Sequence, residues 1–305
     1  MTQKITKKKL TFIIVTYNSS KIIESNLQRL DFDKYDVIIS DNNSTDNTLK
    51  IIKEKFPKAK IIENDKNLGF PRANNIAFEE VNTEFTCLLN PDCFFEDGTI
   101  EKILEIYKKN PQIAIANAVS YDGLYDKNNS KLTKGEPCII SQNNYKQETD
   151  DFYLTKFISG CFMVLQTDIF KKIGLFDNGF FMYCDDNEIC KRAVKNGHEI
   201  ATIKNTAQIH LGGQSSGEFN QKTRYGILWH KNGWSKCHYI SLRHGKLIGK
   251  LKAIRNIIKL SILILIEIVQ FKKINIREKA ALDGCFSYLI GIKAFDKNDN
   301  PRKLI

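Results

Sequence analysis

The sequence predicts an α/β fold: a mostly parallel central sheet with helices on both faces, followed by a basic helical C-terminal region. Three observations carry this. Apolar runs of strand length alternate with stretches of helical spacing over roughly the first 120 residues. The residues that end successive apolar runs are polar and rich in Asp and Asn. The charge is lopsided, because Arg243 to Ile305 holds 14 Lys+Arg against 5 Asp+Glu, nine of the chain's net +11.

LTFIIVT, Leu10 to Thr16, reads as the first strand, and SSKIIESNLQRL carries helical spacing at Ile22, Ile23, Asn26, Leu27 and Leu30. VIIS, ending at Ser40, is the second strand, NTLKIIKEKF a helix, and KIIE the third strand. PRANNIAFEEV opens with Pro71 at a first helical position. FTCLLN, Phe85 to Asn90, is the fourth strand, followed by a helix over Thr99 to Lys109 and the strand IAIANAV. Units of this length imply right-handed parallel crossovers, and ligands of such sheets bind at the carboxyl ends of the strands. From Ser120 to Asp151 the chain turns polar and aperiodic, an expected irregular excursion over the crevice. FISGCFMVLQ then reads as a strand, TDIFKKI as a short helix, CDDNEICKRAVKNG as a helix ending at Gly197, and HEIATI as a strand. The expected boundaries are a catalytic domain over 1–218 and a basic helical region over 219–305.

Composition narrows the class. With 42% apolar and 10% aromatic residues the chain is a folded globular one. Its eight cysteines form no CxxC pair and no zinc spacing, and MTQKITKKKL holds no apolar core of signal-peptide length. No stretch reaches the roughly 20 apolar residues of a membrane span; LSILILIEIVQF is too short and contains Glu267. A reducing cytoplasmic location is expected, peripheral on a membrane if the basic tail docks there.

The strand ends supply the candidate chemistry. In DNNSTD, Asp41 can accept from a ring N–H and the Asn side chains can serve a ribose or base edge. The plainer reading is a helix cap at Ser44 or Asp46, and both readings can hold together. NPD, Asn90 to Asp92, places a carboxylate where it can hold a divalent metal, although Pro and Asp are also ordinary turn residues. CDDNEICKR sets Asp185, Asp186 and Glu188 at a helix start, where acids favour the dipole and Glu188 can pair with Arg192. On a helical wheel Asp186 shares the apolar face of Ile189, Cys190 and Ala193, and Asp185 lies on the more solvated face. An acid on the buried face needs a reason, so Asp186 is the candidate general base. His210, before the Gly-Gly and Ser-Ser loop of IHLGGQSSG, is a metal ligand or diphosphate contact as readily as a structural histidine.

Taken in order, FIIVTYNS, VIISDNNSTDNT, ENDKNLGFPRANN, LLNPD, SGCFMV, GLFDNGFFMYCDDNEICKR and IHLGGQSSG resemble the family-2 inverting glycosyltransferases. The likeness is to the rhamnosyltransferase-like branch that builds bacterial O-antigen, capsule and other surface polysaccharide, and it covers roughly residues 10 to 217. The resemblance implies a GT-A fold, a nucleotide-diphosphate sugar donor such as dTDP-rhamnose or a UDP-sugar, and inversion at the anomeric carbon. It implies that Thr16, Tyr17, Asn18, Asp41 and Asn43 line the nucleotide pocket, with Asn67, Arg72 and Asn90 near base and diphosphate. It also implies Asp92 and His210 at a Mg²⁺ or Mn²⁺ ion, and Asp186 as base with Asp185 and Glu188 as alternatives. The family's DxD motif is reduced here to Asn90-Pro91-Asp92 and its Glu-Asp pair to Asp185-Asp186. The implied acceptor is a hydroxyl of a glycan or a polyprenyl-diphosphate-linked saccharide.

Other classes fit less well. A nucleotidyltransferase or a dinucleotide oxidoreductase needs glycines after the first strand, where this chain has VTYNSSK. Nucleic-acid binding would rest on the basic tail alone. A catalytically inactive sugar-nucleotide-binding subunit is the alternative. The tail, in which Lys246, Lys250, Lys252, Arg255 and Lys259 intersperse with apolar residues, suits an anionic membrane surface or helix packing equally.

Overall fold

The computed structural model describes residues 8–126, 131–137, 145–213 and 220–303. It divides into two compact units: Met1–Asp65, Ala73–Leu175 and Ile189–Gly217 form the first, and Lys66–Arg72, Phe176–Glu188 and Glu218–Ile305 the second. The helical tail therefore shares its unit with two segments from earlier in the chain.

The first half of the chain alternates as the apolar pattern requires. β1 (Leu10–Thr16), α1 (Ile23–Leu27), β2 (Asp36–Asp41), α2 (Thr48–Lys55), β3 (Lys60–Glu63), α3 (Gly69–Glu79) and β4 (Phe85–Leu89) follow one another. β5 (Cys93–Phe95), α4 (Thr99–Lys109) and the long β6 (Ile113–Asp126) come next. β7 (Lys131–Pro137), β8 (Tyr145–Glu148), β9 (Phe152–Thr155) and β10 (Phe162–Gln166) precede α5 (Thr167–Ile173), α6 (Asp185–Lys195) and β11 (Glu199–His210).

The sheet runs β3-β2-β1-β4-β10-β6-β11-β9-β8, with β5 on β11 and β7 on β6. The parallel expectation holds for β3-β2-β1-β4 and for β6 with β11. It gives way at β10, antiparallel to both of its neighbours, and at β5, β7, β8 and β9, so the sheet as a whole is mixed. The strands that read as unbroken apolar runs are those buried on both faces; every residue of β4 is buried. The Ser120–Asp151 stretch, expected to be irregular, instead extends β6 and pairs it with β7, and β8 pairs with β9. Residues 127–130 and 138–144 of it lie outside the described residues. Its polar strands lack alternation, so the pattern that reveals a half-buried strand was missing.

A large apolar cluster packs on β1, β2, β4 and β10. Phe12 of β1 meets the Tyr35 ring edge-on at 5.3 Å and stacks on Phe95 at 5.7 Å. α4 buries Ile100, Ile103, Ile106 and Tyr107 along one stripe, each aliphatic contributing about 1.5–3 kcal/mol. The Tyr107 hydroxyl donates to Val164 O at 2.7 Å.

The second unit holds α7 (Gln221–Leu228), a π-helical turn (Trp229–Trp234), α8 (Ser235–His244), α9 (Lys246–Val269) and α10 (Ile276–Leu289). α7, the π-helical turn and α10 pack around Phe181, Trp229, Trp234 and Phe295, while Cys237 of α8, Ala253 of α9 and Cys285 of α10 form a second cluster. Gly284 of α10 lets the π-helical turn approach: a Cβ there would stand 2.6 Å from Trp229 O. α9 docks through its small residues Gly249 and Ala253. Among the described residues no helix is long and apolar enough to cross a membrane.

Candidate active site

β1 and β2 end in register, Thr16 beside Asp41. Thr16 Oγ1 and Ser44 Oγ each donate to Asp41 Oδ1 at 2.6 Å, and the Ser44 N–H donates to Oδ2 at 2.8 Å. Asp41 was expected to turn toward a ligand; it is instead fully buried, with its carboxylate spent on these neighbours. Two residues beyond each strand the chain bends through the left-handed region, at Asn18 (φ 52°) and Asn43 (φ 61°), a conformation that Asn tolerates better than most residues. Asn18 Oδ1 accepts from the Thr45 and Asp46 N–H groups, binding the two corners together. The outward groups of this corner are Tyr17 and Asn43, both exposed. Of the two expected caps, Asp46 accepts from Thr48 N at 3.0 Å at the start of α2, and Ser44 serves Asp41.

Asn90-Pro91-Asp92-Cys93 is a tight turn closed by Cys93 N donating to Asn90 O at 3.0 Å, with Pro91 at its second position. Asn90 N donates to Cys161 O at 2.8 Å. Asn26 of α1, buried at 2% exposure, donates its side-chain amide to Cys93 O at 2.7 Å and Asn90 O at 3.3 Å. Sequence reasoning missed this contact. The signal was a polar residue on an otherwise apolar helical stripe.

β5 and β11 pair antiparallel with Cys93 opposite His210. That register brings His210 Nε2 to 3.3 Å from Asp92 Oδ1, and Leu211 N donates to Asp92 O at 3.0 Å. Asp92 is fully buried and the His210 side chain about one-third exposed, at 33%. Burial opposes a charge on His210, but hydrogen bonds to Asp92 and Cys161 outweigh it and raise the imidazole to about 10. The hydrogen bond with Cys93, together with that to His210, holds the Cys161 thiol well below its usual range despite burial. The two sequence-nominated ligands thus stand together. One carboxylate oxygen and one imidazole nitrogen fit a divalent ion that takes its remaining ligands from phosphate and water. Among the described residues no group of three or more His, Cys, Asp or Glu could hold a metal by itself.

At α6 the expected burial order is reversed. Asp185 is 4% exposed and Asp186 only half-buried. Helical period carries the apolar face of Ile189 and Cys190 back into the first turn, but there the entering chain decides what is covered. That entry is unusual: Tyr183 (φ 65°) and Cys184 (φ 68°) are consecutive left-handed residues without being glycine. Burial raises the Asp185 carboxyl well above the usual carboxylate range, and the charges of Asp186 and Glu188 add to this. Asp186 Oδ1 accepts from the Asn187 N–H at 2.8 Å.

Asn67 and Arg72 belong to the second unit. Asn67 Oδ1 accepts from Gly69 N at 3.0 Å, shaping the entry to α3. Arg72 donates through Nε to Asn178 O at 2.8 Å, pairs with Asp299 at 3.0 Å and lies 3.6 Å from the centre of the Phe295 ring. The side chain expected at a diphosphate is therefore engaged by the C-terminal segment.

A family model described as Glycosyl transferase family 2 matches residues 11–174. The rhamnosyltransferase WbbL of Escherichia coli (strain K12) is 24% identical over 238 residues, covering 72% of this chain and 88% of that protein. The N-acetylglucosaminyl-diphospho-decaprenol L-rhamnosyltransferase of Mycobacterium tuberculosis is 21% identical, over 68% of this chain and 78% of its own length. Among solved structures, S. aureus TarS 1-349 in complex with UDP-GlcNAc superposes with a TM-score of 0.56 at 16% identity, covering 93% of this chain and 81% of that one. The mannosyltransferase PcManGT from Pyrobaculum calidifontis, in complex with GDP-Man and Mn²⁺, gives 0.53 at 14% identity, over 94% and 75%. These likenesses place the fold in the GT-A class.

Proposed function

The chain belongs to glycosyl transferase family 2, and from that premise we propose that it moves a hexose, with inversion, from a nucleotide-diphosphate sugar to a hydroxyl of a glycan or lipid-linked saccharide. The donor is dTDP-rhamnose or a UDP-sugar, a reading supported by rhamnosyltransferase relatives and by a structural neighbour bound to UDP-GlcNAc.

Asp186 takes the proton of the acceptor hydroxyl. The acceptor oxygen then forms its bond to the anomeric carbon from the face opposite the diphosphate, and the bond from that carbon to the diphosphate oxygen breaks. The partial exposure of Asp186, beside a buried Asp185, supports Asp186 as the base. Asp92 and His210 would hold a Mg²⁺ or Mn²⁺ ion, which when bound neutralises charge developing on the leaving diphosphate. The corners Thr16–Asn18 and Asp41–Asn43 receive the base and ribose, Asp41 holding their shape while Tyr17 and Asn43 offer the contacting groups. Asn90 contributes through the turn that presents Asp92, and Asn67 and Arg72 border the donor in this reading, with Arg72 exchanging Asp299 for phosphate.

The observation that carries the proposal is the β5–β11 register, which unites Asp92 with His210. Purified protein is to be assayed against a panel of dTDP- and UDP-sugars with a lipid-linked saccharide acceptor, with and without EDTA. Turnover of one donor, its loss in EDTA, its return with Mn²⁺ and an inverted anomeric configuration by NMR are expected. Donor binding without transfer or hydrolysis under any metal would instead identify an inactive sugar-nucleotide-binding subunit.

A further inference from the structure

α9 carries an apolar stripe that none of the described residues covers. Leu251, Ile254, Ile258, Ile262, Leu265 and Val269 are each 41% to 68% exposed, on the side opposite the Gly249 and Ala253 contact. Phe271, just past the helix end, is 99% exposed. Cations flank the stripe, Arg255 and Lys259 along one edge and Lys246 and Lys250 along the other. The helix holds a single acid, Glu267, on the packed side, and its carboxylate accepts from Asn275 N at 3.0 Å.

We propose that α9 docks on an anionic lipid bilayer, with the stripe at the boundary of headgroups and acyl chains and the flanking cations against anionic headgroups. Charge favours a bilayer over a second copy of the chain. Two such faces side by side would bring together rows of Lys and Arg with no acid on the stripe to answer them, whereas an anionic surface answers them all. The helix lies on the surface instead of crossing, because its charged N-terminal half excludes it from a hydrocarbon core.

The proposal is independent of the catalytic reading, and flotation reads it with neither donor nor acceptor present. The full chain is to be floated with vesicles of phosphatidylcholine alone and of phosphatidylcholine mixed equally with phosphatidylglycerol. Binding to the mixed vesicles is expected to be at least about tenfold tighter and to weaken with salt. Lys250→Gln with Arg255→Gln should weaken it roughly 25-fold, about fivefold for each cation. Ile258→Ser with Ile262→Ser, at exposed positions that leave the melting temperature unchanged, should reduce binding to the phosphatidylcholine level. Absence of binding to mixed vesicles, or full binding by the Ile258/Ile262 variant, would overturn the proposal. So would a dimer by light scattering that this variant splits, which would make the stripe an interface between copies.

Discussion

The side-chain amide of Asn26 donates to the main-chain oxygen of Cys93 at 2.7 Å, tying α1 to the turn that presents Asp92. Replacing Asn26 by Leu, of similar size, leaves the Cys93 and Asn90 carbonyls without this buried donor. The cost should be about 1–3 kcal/mol in urea unfolding. Because the turn holds Asp92, Mn²⁺ affinity measured by calorimetry should fall as well. A variant with unchanged stability and unchanged metal affinity would show that the turn holds itself.

Asp186→Asn should lower turnover by about 10²–10⁴ while nucleotide binding, followed by calorimetry, persists. Asp185→Asn keeps the shape of a side chain that is buried away from the acceptor and should keep most of the activity. The reverse ranking of the two variants would move the base to Asp185, and loss confined to Glu188→Gln would move it there.

Gly69→Ala should destabilise the chain by more than about 1 kcal/mol, seen as a lowered urea midpoint. Gly69 sits at φ +76°, and a Cβ there would stand 2.1 Å from Phe181 O, the acceptor of the Phe70 N–H at 3.0 Å. An unchanged midpoint would mean the two segments separate without cost.

His230 should make stability fall in acid. It is fully buried against Phe181 and Trp229, and burial lowers its imidazole from 6.5 to about 3. The unfolded chain takes up this proton below pH 6.5, whereas the folded chain resists until about pH 3. The contribution of neutral His230 is therefore complete above pH 6.5 and declines by up to about 1.4 kcal/mol per pH unit as pH falls toward 3. Urea unfolding across that range should show a shallower acid limb in His230→Gln than in the parent. Parallel limbs would assign the acid sensitivity elsewhere.

The parts of the fold that were legible in the sequence are those set by local physics. β1, β2 and β4 are unbroken apolar runs because both of their faces are buried, and the α4 stripe follows from helical period. The Asn90–Cys93 turn follows from proline geometry, and Asp92 and His210 could each be nominated by residue type. What the sequence by itself determined, then, was the alternation of elements, the polar strand ends and the basic amphipathic α9. Their assembly belongs to tertiary structure. Only antiparallel pairing of β5 with β11 brings His210 to Asp92, and only the path into α6 buries Asp185 while leaving Asp186 partly exposed. Asn26 reads as one more stripe position until the turn it holds arrives beneath it. The reason is common to all three: strand register and burial depend on partners distant in sequence, and local propensity carries no record of which partner is met.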